Sequence, residues 1–175
     1  KDPYYDVARK IGFLCGKAGY TMVTGGGPGM MEAANRGAAE ASGTSTGLSI
    51  SLPHEHMINK YANTQMKFSY FFTRKTMLTF AAETYVFFPG GYGTFDELFS
   101  ILTLVQTGKI PKVPILLYDS SFWNKFEVYL KDVMFDVYHS IEENDLKLFE
   151  ITDSLDVIIE RTRRAPIATW WRNIN

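Results

Sequence analysis

Two glycine-rich loops hold most of the residues that could do chemistry. Thr24-Gly25-Gly26-Gly27-Pro28-Gly29-Met30 joins a β-prone run to a helical stretch. Glycine lets backbone approach a ligand closely and tolerates positive φ. Pro28 suits a first helical turn, where a missing N–H costs little. The free N–H groups and the dipole of the following helix favour an anion, and phosphate is the natural guest. A ligand-free tight turn is the alternative, but four glycines in residues 25–29 exceed what such a turn needs. Two common nucleotide signatures fail. Gly-x-Gly-x-x-Gly would need glycine where Met30 stands, and neither Gly16-Lys17 nor Gly108-Lys109 is followed by Ser or Thr.

The second loop, Pro89-Gly90-Gly91-Tyr92-Gly93-Thr94-Phe95-Asp96-Glu97, repeats the plan. An apolar run ends, glycines turn the chain, and a helix is expected from Thr94. Thr94-x-x-Glu97 also spells a capping box, so Glu97 reads equally as a cap and as a catalytic carboxylate. Asp96 falls in the same expected first turn, as a partner of the dipole. Between the loops, Arg74 and Lys75 sit in an aromatic stretch, Phe68 to Leu78. Arg favours planar contacts with carboxylate or phosphate. Phe71, Met77 and Leu78 are expected to pack, and the aromatic stripe to be core. His54-x-His56 could ligate a metal, but two His in a loop read better as solvated. No metal site is expected.

The elements that position these loops follow from periodicity. Apolar spacing predicts helices over 4–18, 30–42, 67–83, 94–107, 122–138 and 154–163. Asp153 or Ser154 is expected to cap the last. Strands are expected over 20–24, 45–52, 85–88 and 113–118. The runs at 85–88 and 113–118 are continuously apolar, as in strands buried on both faces. Alternating strands and helices predict an α/β fold: a doubly wound parallel sheet flanked by helices, one domain over 1–175. Ligands of such sheets sit beyond the carboxyl ends of the strands, where both glycine loops fall. One mononucleotide-like ligand held between them is expected. A doubly wound domain normally opens with a strand, which here would lie upstream of Lys1, so the first strand is expected to be missing from this chain or replaced by another element.

Composition narrows the classes. The chain has 175 residues with a net charge of −1, which argues against a general nucleic-acid or membrane binder. No apolar run approaches the ~18–20 residues of a membrane span. A single cysteine, Cys15, excludes an intrachain disulfide and fits a reducing compartment. Arg161, Arg163 and Arg164 read as a helix end complementing its dipole. Tyr118-Asp119-Ser120-Ser121 reads as a plain turn. Trp170-Trp171 packs on the body or on a partner.

Three elements together resemble the LONELY GUY (LOG) family, often labelled lysine decarboxylase: Gly25-Gly26-Gly27-Pro28-Gly29-Met30-Met31-Glu32-Ala33, Phe71-Phe72-Thr73-Arg74-Lys75-Thr76-Met77-Leu78 and the 89–97 loop. The resemblance runs from about residue 4 to at least 123, and Pro-Gly-Gly-x-Gly-Thr-x-x-Glu is highly specific. Leu52-Pro53-His54-Glu55 and Gln106-Thr107-Gly108-Lys109 look like the longer bacterial branch. The resemblance implies a Rossmann-like fold and a cytoplasmic homodimer with its site near the subunit interface. It implies hydrolysis of the N-glycosidic bond of a nucleoside 5′-monophosphate, AMP or an N6-modified AMP of the cytokinin type, to free base and ribose 5-phosphate. By motif match Arg74 and Glu97 are the catalytic pair. Gly26, Gly27, Gly29, Gly90, Gly91, Gly93 and Thr94 match the nucleotide-binding loops, with Met30, Lys75 and Pro89 beside them and Glu32 a looser match. No cofactor is implied. The family's opening strand and Gly-Ser turn have no counterpart here. A non-catalytic carrier of a nucleotide or molybdenum cofactor is the alternative. A pyridoxal-phosphate decarboxylase lacks its motifs for a Schiff-base lysine and a ring-nitrogen partner.

Overall fold

The computed structural model describes residues 3–51, 58–80 and 82–166. The His54-x-His56 and Trp170-Trp171 features lie outside these residues. The chain divides into two compact units, Lys1–Ala82 and Glu83–Asn175.

The first unit runs α1 (Tyr5–Lys17), β1 (Met22–Thr24), α2 (Met30–Glu40), β2 (Ser45–Ile50), β3 (Thr64–Phe68) and α3 (Phe71–Phe80). Its strands form a parallel sheet in the order β1-β2-β3. Asp6 and Lys17 complement the α1 dipole at its two ends. Gly19, at φ 84°, closes the helix, with the Gly19 and Tyr20 N–H groups donating back to Gly16 and Cys15. α1 and α2 pack backbone against backbone. A Cβ on Gly12 would run into the Ala34 carbonyl, and one on Gly37 into the Arg9 carbonyl. No larger residue fits that crossing.

β3 corrects the expectation of one helix over 67–83. Thr64–Phe68 pairs instead with β2, Gln65 opposite Gly47 and Phe68 opposite Ile50, and the helix starts at Phe71. An edge strand with mostly exposed side chains carries little apolar signal, so its residues read as the start of the helix.

The second unit runs β4 (Tyr85–Phe87), α4 (Tyr92–Gln106), β5 (Ile115–Tyr118), α5 (Ser120–Tyr129), a π-helical turn (Leu130–Phe135), a 3-10 turn (Asp145–Lys147), β6 (Glu150–Thr152) and α6 (Leu155–Arg163). Its sheet is again parallel, in the order β4-β5-β6. β5 is central, with Ile115, Leu116 and Leu117 buried as its apolar run requires. Trp123 is fully buried beside Phe95, Phe122 and Phe126, with ring centroids 4.9–5.7 Å away. Each such ring pair contributes about 0.5–1.5 kcal/mol beyond area burial. These contacts offset the cost of the Trp123 indole N–H, which has no partner among the described residues.

The helix expected over 122–138 starts at Ser120 and changes to π-helical winding at Leu130. Asp119, at φ 89°, caps it by accepting from the Ser121 N–H at 2.9 Å, so this stretch is a cap and not a plain turn. Ser154 caps α6, accepting from the Val157 N–H. The three-residue β6 is absent from the periodicity. Its Glu150 accepts from Arg161 Nε at 2.6 Å and Nη2 at 3.1 Å, so Arg161 does more than complement the helix end.

Candidate functional site

The first glycine loop connects β1 to α2. α2 starts at Met30 with Gly29 as its N-cap at φ 74°, so Pro28 lies ahead of the cap and not in the first helical turn. The first N–H donated inside the helix is that of Ala33, to the Gly29 carbonyl. The N–H groups of Met30, Met31 and Glu32 precede it, at the positive end of the helix.

A buried polar network holds this loop. The Gly26 carbonyl accepts from the Asn59 backbone N–H at 2.8 Å and from Asn59 Nδ2 at 3.1 Å. The Gly27 carbonyl accepts from Asn59 Nδ2 at 3.3 Å. The Gly26 N–H donates to Thr24 Oγ1 at 3.0 Å, and that hydroxyl donates to Asn35 Oδ1 at 2.6 Å. Asn35 Oδ1 also accepts from Asn59 Nδ2 at 2.9 Å, while Asn35 Nδ2 donates to Ser45 Oγ at 2.8 Å. Asn35, Ser45 and Asn59 are all buried. Gly26, at φ 75°, lies against Gly47 of β2, where a Cβ on Gly26 would come within 3.3 Å of the Gly47 Cα. Sequence reasoning passed over Asn35 and Asn59. The available signal was Asn35 itself, a poor helix former in the Ala-rich interior of α2.

Arg74 reaches the same loop. Its Nε donates to the Leu48 carbonyl of β2 at 2.8 Å, and a Cβ on Gly25 would collide with its Nη2. The Met31 thioether approaches the same point, where that Cβ would meet Sδ at 2.8 Å. A guanidinium and a thioether thus occupy the space that a side chain at position 25 would need. Lys75 is half-buried next in α3. Glu32 stands in the first turn of α2 and accepts from the Tyr5 hydroxyl at 3.1 Å. The aromatic stripe is not core. Tyr70 is 73% exposed, Phe72 78% and Phe71 59%, and Met77 is exposed as well.

The second loop follows β4, and Gly91 caps α4 through its backbone. The helix begins at Tyr92, two residues before the expected start. Thr94 is therefore its third residue and not its N-cap, which is Gly91, so the Thr94-x-x-Glu97 capping box is out of register. Thr94 instead lies against Gly90, where a Cβ would strike its hydroxyl. Asp96 falls beyond the first turn and is exposed. Pro89 is half-buried, and Gly91 and Gly93 lie at the surface. Glu97 is half-buried in the second turn. Its partner in the electrostatics is Tyr85, at the start of β4. The Tyr85 phenol is pushed up to about 12, first by burial and then by the negative charge of Glu97.

Among the described residues, no group of three His, Cys, Asp or Glu could hold a metal ion, and no helix is long and apolar enough to cross a membrane. Cys15 is buried in α1, and burial pushes its thiol up to about 11.

Known structures share this architecture. The molybdenum cofactor binding protein from Rippkaea orientalis aligns at a TM-score of 0.68 with 22% identity, covering 94% of this chain and 88% of that one. The molybdenum cofactor carrier protein from Chlamydomonas reinhardtii aligns at 0.67 with 20% identity and the same coverage. TM1055, a structural-genomics target, aligns at 0.64 with 24% identity, covering 94% of this chain and 89% of that one. At these identities the likeness shows the fold, a Rossmann-like α/β fold. No curated protein matches the chain. The family described as "Possible lysine decarboxylase" matches residues 31–162, about three quarters of the chain. That span contains α3 with Arg74, the whole second loop and all but the first residue of α2, and the chain belongs to this family, the LOG family that its motifs resemble.

Proposed function

We propose that the protein hydrolyses the N-glycosidic bond of a nucleoside 5′-monophosphate, AMP or an N6-modified AMP, releasing the base and ribose 5-phosphate. The observation that carries this reading is the setting of Arg74, its guanidinium against Gly25 in the loop that leads to the α2 N-terminus. A fixed guanidinium, the N–H groups at a helix N-terminus and glycine backbone together favour a phosphate monoester. Gly26, Gly27, Gly29 and Met30 hold it in this reading. Pro89, Gly90, Gly91, Gly93 and Thr94 form the companion loop, and Lys75 adds positive charge.

Breaking the bond builds oxocarbenium character at C1′ of the ribose. A carboxylate there stabilises that charge or activates water for attack. Glu97 takes this role. It stands in the second turn of α4, and its charge acts on Tyr85. Water adds a hydroxyl at C1′, and the base leaves with the bonding pair and a proton. Phosphate binding positions C1′ with energy drawn from a remote part of the substrate. No cofactor enters the scheme.

The exposed aromatic face of α3 supports the homodimer that the resemblance implies. The setting proposed is the cytoplasm, where the lone thiol of Cys15 stays reduced.

The test follows adenine and ribose 5-phosphate released from AMP, with adenosine and lysine as controls. Release from AMP but not adenosine is expected. Binding across a panel of monophosphates without turnover would sink the hydrolase reading. It would favour a non-catalytic carrier, as the described binding of the molybdenum-cofactor proteins suggests.

A further inference from the structure

The buried network beneath the first glycine loop does more than fill space. A glycine-rich loop can turn carbonyl oxygens or N–H groups toward a ligand. Carbonyls outward suit a cation, and N–H groups outward suit an anion. Here the Gly26 and Gly27 carbonyls both point inward and accept from Asn59, the Gly26 oxygen twice. The proton directions form one consistent chain. Asn59 Nδ2 donates to Asn35 Oδ1, Thr24 Oγ1 donates to the same oxygen, and Asn35 Nδ2 donates to Ser45 Oγ. The Ser45 hydroxyl in turn donates to the Asn35 backbone carbonyl at 3.2 Å. A buried network satisfied in this way is rigid.

We infer that Asn59 is a positioning residue that fixes this loop as a receptor for a phosphate group by withdrawing the Gly26 and Gly27 carbonyl oxygens, and that Thr24 positions the same network, donating to Asn35 Oδ1 and holding the Gly26 N–H. The inference rests on the phosphate-loop portion of the reading above and adds which residues set the loop's polarity. Asn59 comes from the connection between β2 and β3, more than thirty residues from the loop it holds.

Asn59→Asp tests it with almost no change in shape. A carboxylate would face three acceptor oxygens that now receive N–H donors. Inorganic phosphate and AMP are titrated into the full chain, and the backbone amide resonances of Gly27, Met30 and Met31 are followed. In the wild type these resonances shift and saturate. Asn59→Asp is expected to weaken phosphate and AMP binding by about tenfold or more, the scale of lost hydrogen bonds to a charged group. Affinity for adenosine, which lacks the phosphate, should stay the same. A merely structural role would lower the melting temperature and leave the ratio of AMP to adenosine affinity unmoved in the folded protein. Thr24→Val should lower that ratio as well, and Thr24→Ser, which keeps the hydroxyl, should restore it. This pair carries the test if Asn59→Asp fails to fold. Wild-type resonances that ignore phosphate, or folded Asn59→Asp and Thr24→Val proteins that bind it normally, would overturn the inference. AMP bound through these amides but never cleaved would leave the inference standing and remove the hydrolase reading. AMP cleaved normally by both folded variants would do the reverse.

Discussion

Tyr85 and Glu97 make each residue a probe of the other. The phenol stands at about 12 rather than the ordinary 10.0 because it is buried and, secondarily, because it faces the Glu97 charge. Glu97→Gln removes only the second cause. Ultraviolet titration should show Tyr85 ionising at lower pH than in the wild type but still above an exposed tyrosine. In the same variant, AMP turnover should fall on the order of 10²–10⁴-fold, the usual range for a positioned acid–base group. Turnover near wild type would strip Glu97 of its role. The sign of the pH dependence follows from the raised pKa. Below pH 10 the phenol is protonated folded or unfolded and contributes no slope. Between 10 and about 12 the unfolded chain ionises first, so stability falls as pH rises through that window. Much at this scale was legible in the sequence. The second loop does turn a strand into a helix, whereas the approach of Arg74 to Gly25 was not foreseen from the residues. The capping box shows the limit. The pattern is real, but backbone capping by Gly91 starts the helix early and puts Thr94 out of register. Asn35 and Asn59 stayed hidden because their function is a contact between residues 24 apart.

Among the elements, the pairing of α1 with α2 is the least tolerant. Gly37 touches the backbone of Arg9 with no side chain between them. Gly37→Ala gains about 0.5–1 kcal/mol in helix propensity. It must also push apart a pair of helices whose backbones already touch, and overpacking of this kind costs about 1–3 kcal/mol. A lower urea midpoint is expected, and a raised one would show that the helices can separate freely. The strands divide by burial in how well they can be read. β4 and β5 announce themselves as apolar runs, and β5 is buried over Ile115, Leu116 and Leu117. β3 and β6 are edges of their sheets, short and partly exposed, so neither hydrophobicity nor alternation marks them. The end of α5 was misjudged for another reason. Apolar spacing continues through Leu130–Phe135, while the winding loosens to π-helical hydrogen bonding, which periodicity does not register.

For the molecule as a whole, the exposed aromatic residues at the start of α3 are where the proposed dimer is to be tested. Tyr70, just ahead of α3, and Phe71 and Phe72 in its first turn are all exposed. The proposed dimer should appear in light scattering at about twice the 19.9 kDa chain mass. Phe72→Asp should shift it toward the monomer while far-ultraviolet circular dichroism stays the same. A wild-type monomer at micromolar concentration would refute the dimer. The sequence marked this helix as aromatic, but hydrophobicity alone does not distinguish a core from an interface. Cys15 carries a further consequence. It is the chain's one thiol, it is buried in α1, and its raised pKa leaves it almost wholly protonated near neutrality. A thiol reagent can therefore reach it only when α1 lifts away from its packing. The protein carries its own clock for that event: labelling rate against denaturant measures how often α1 comes away from α2, separately from unfolding of the whole chain.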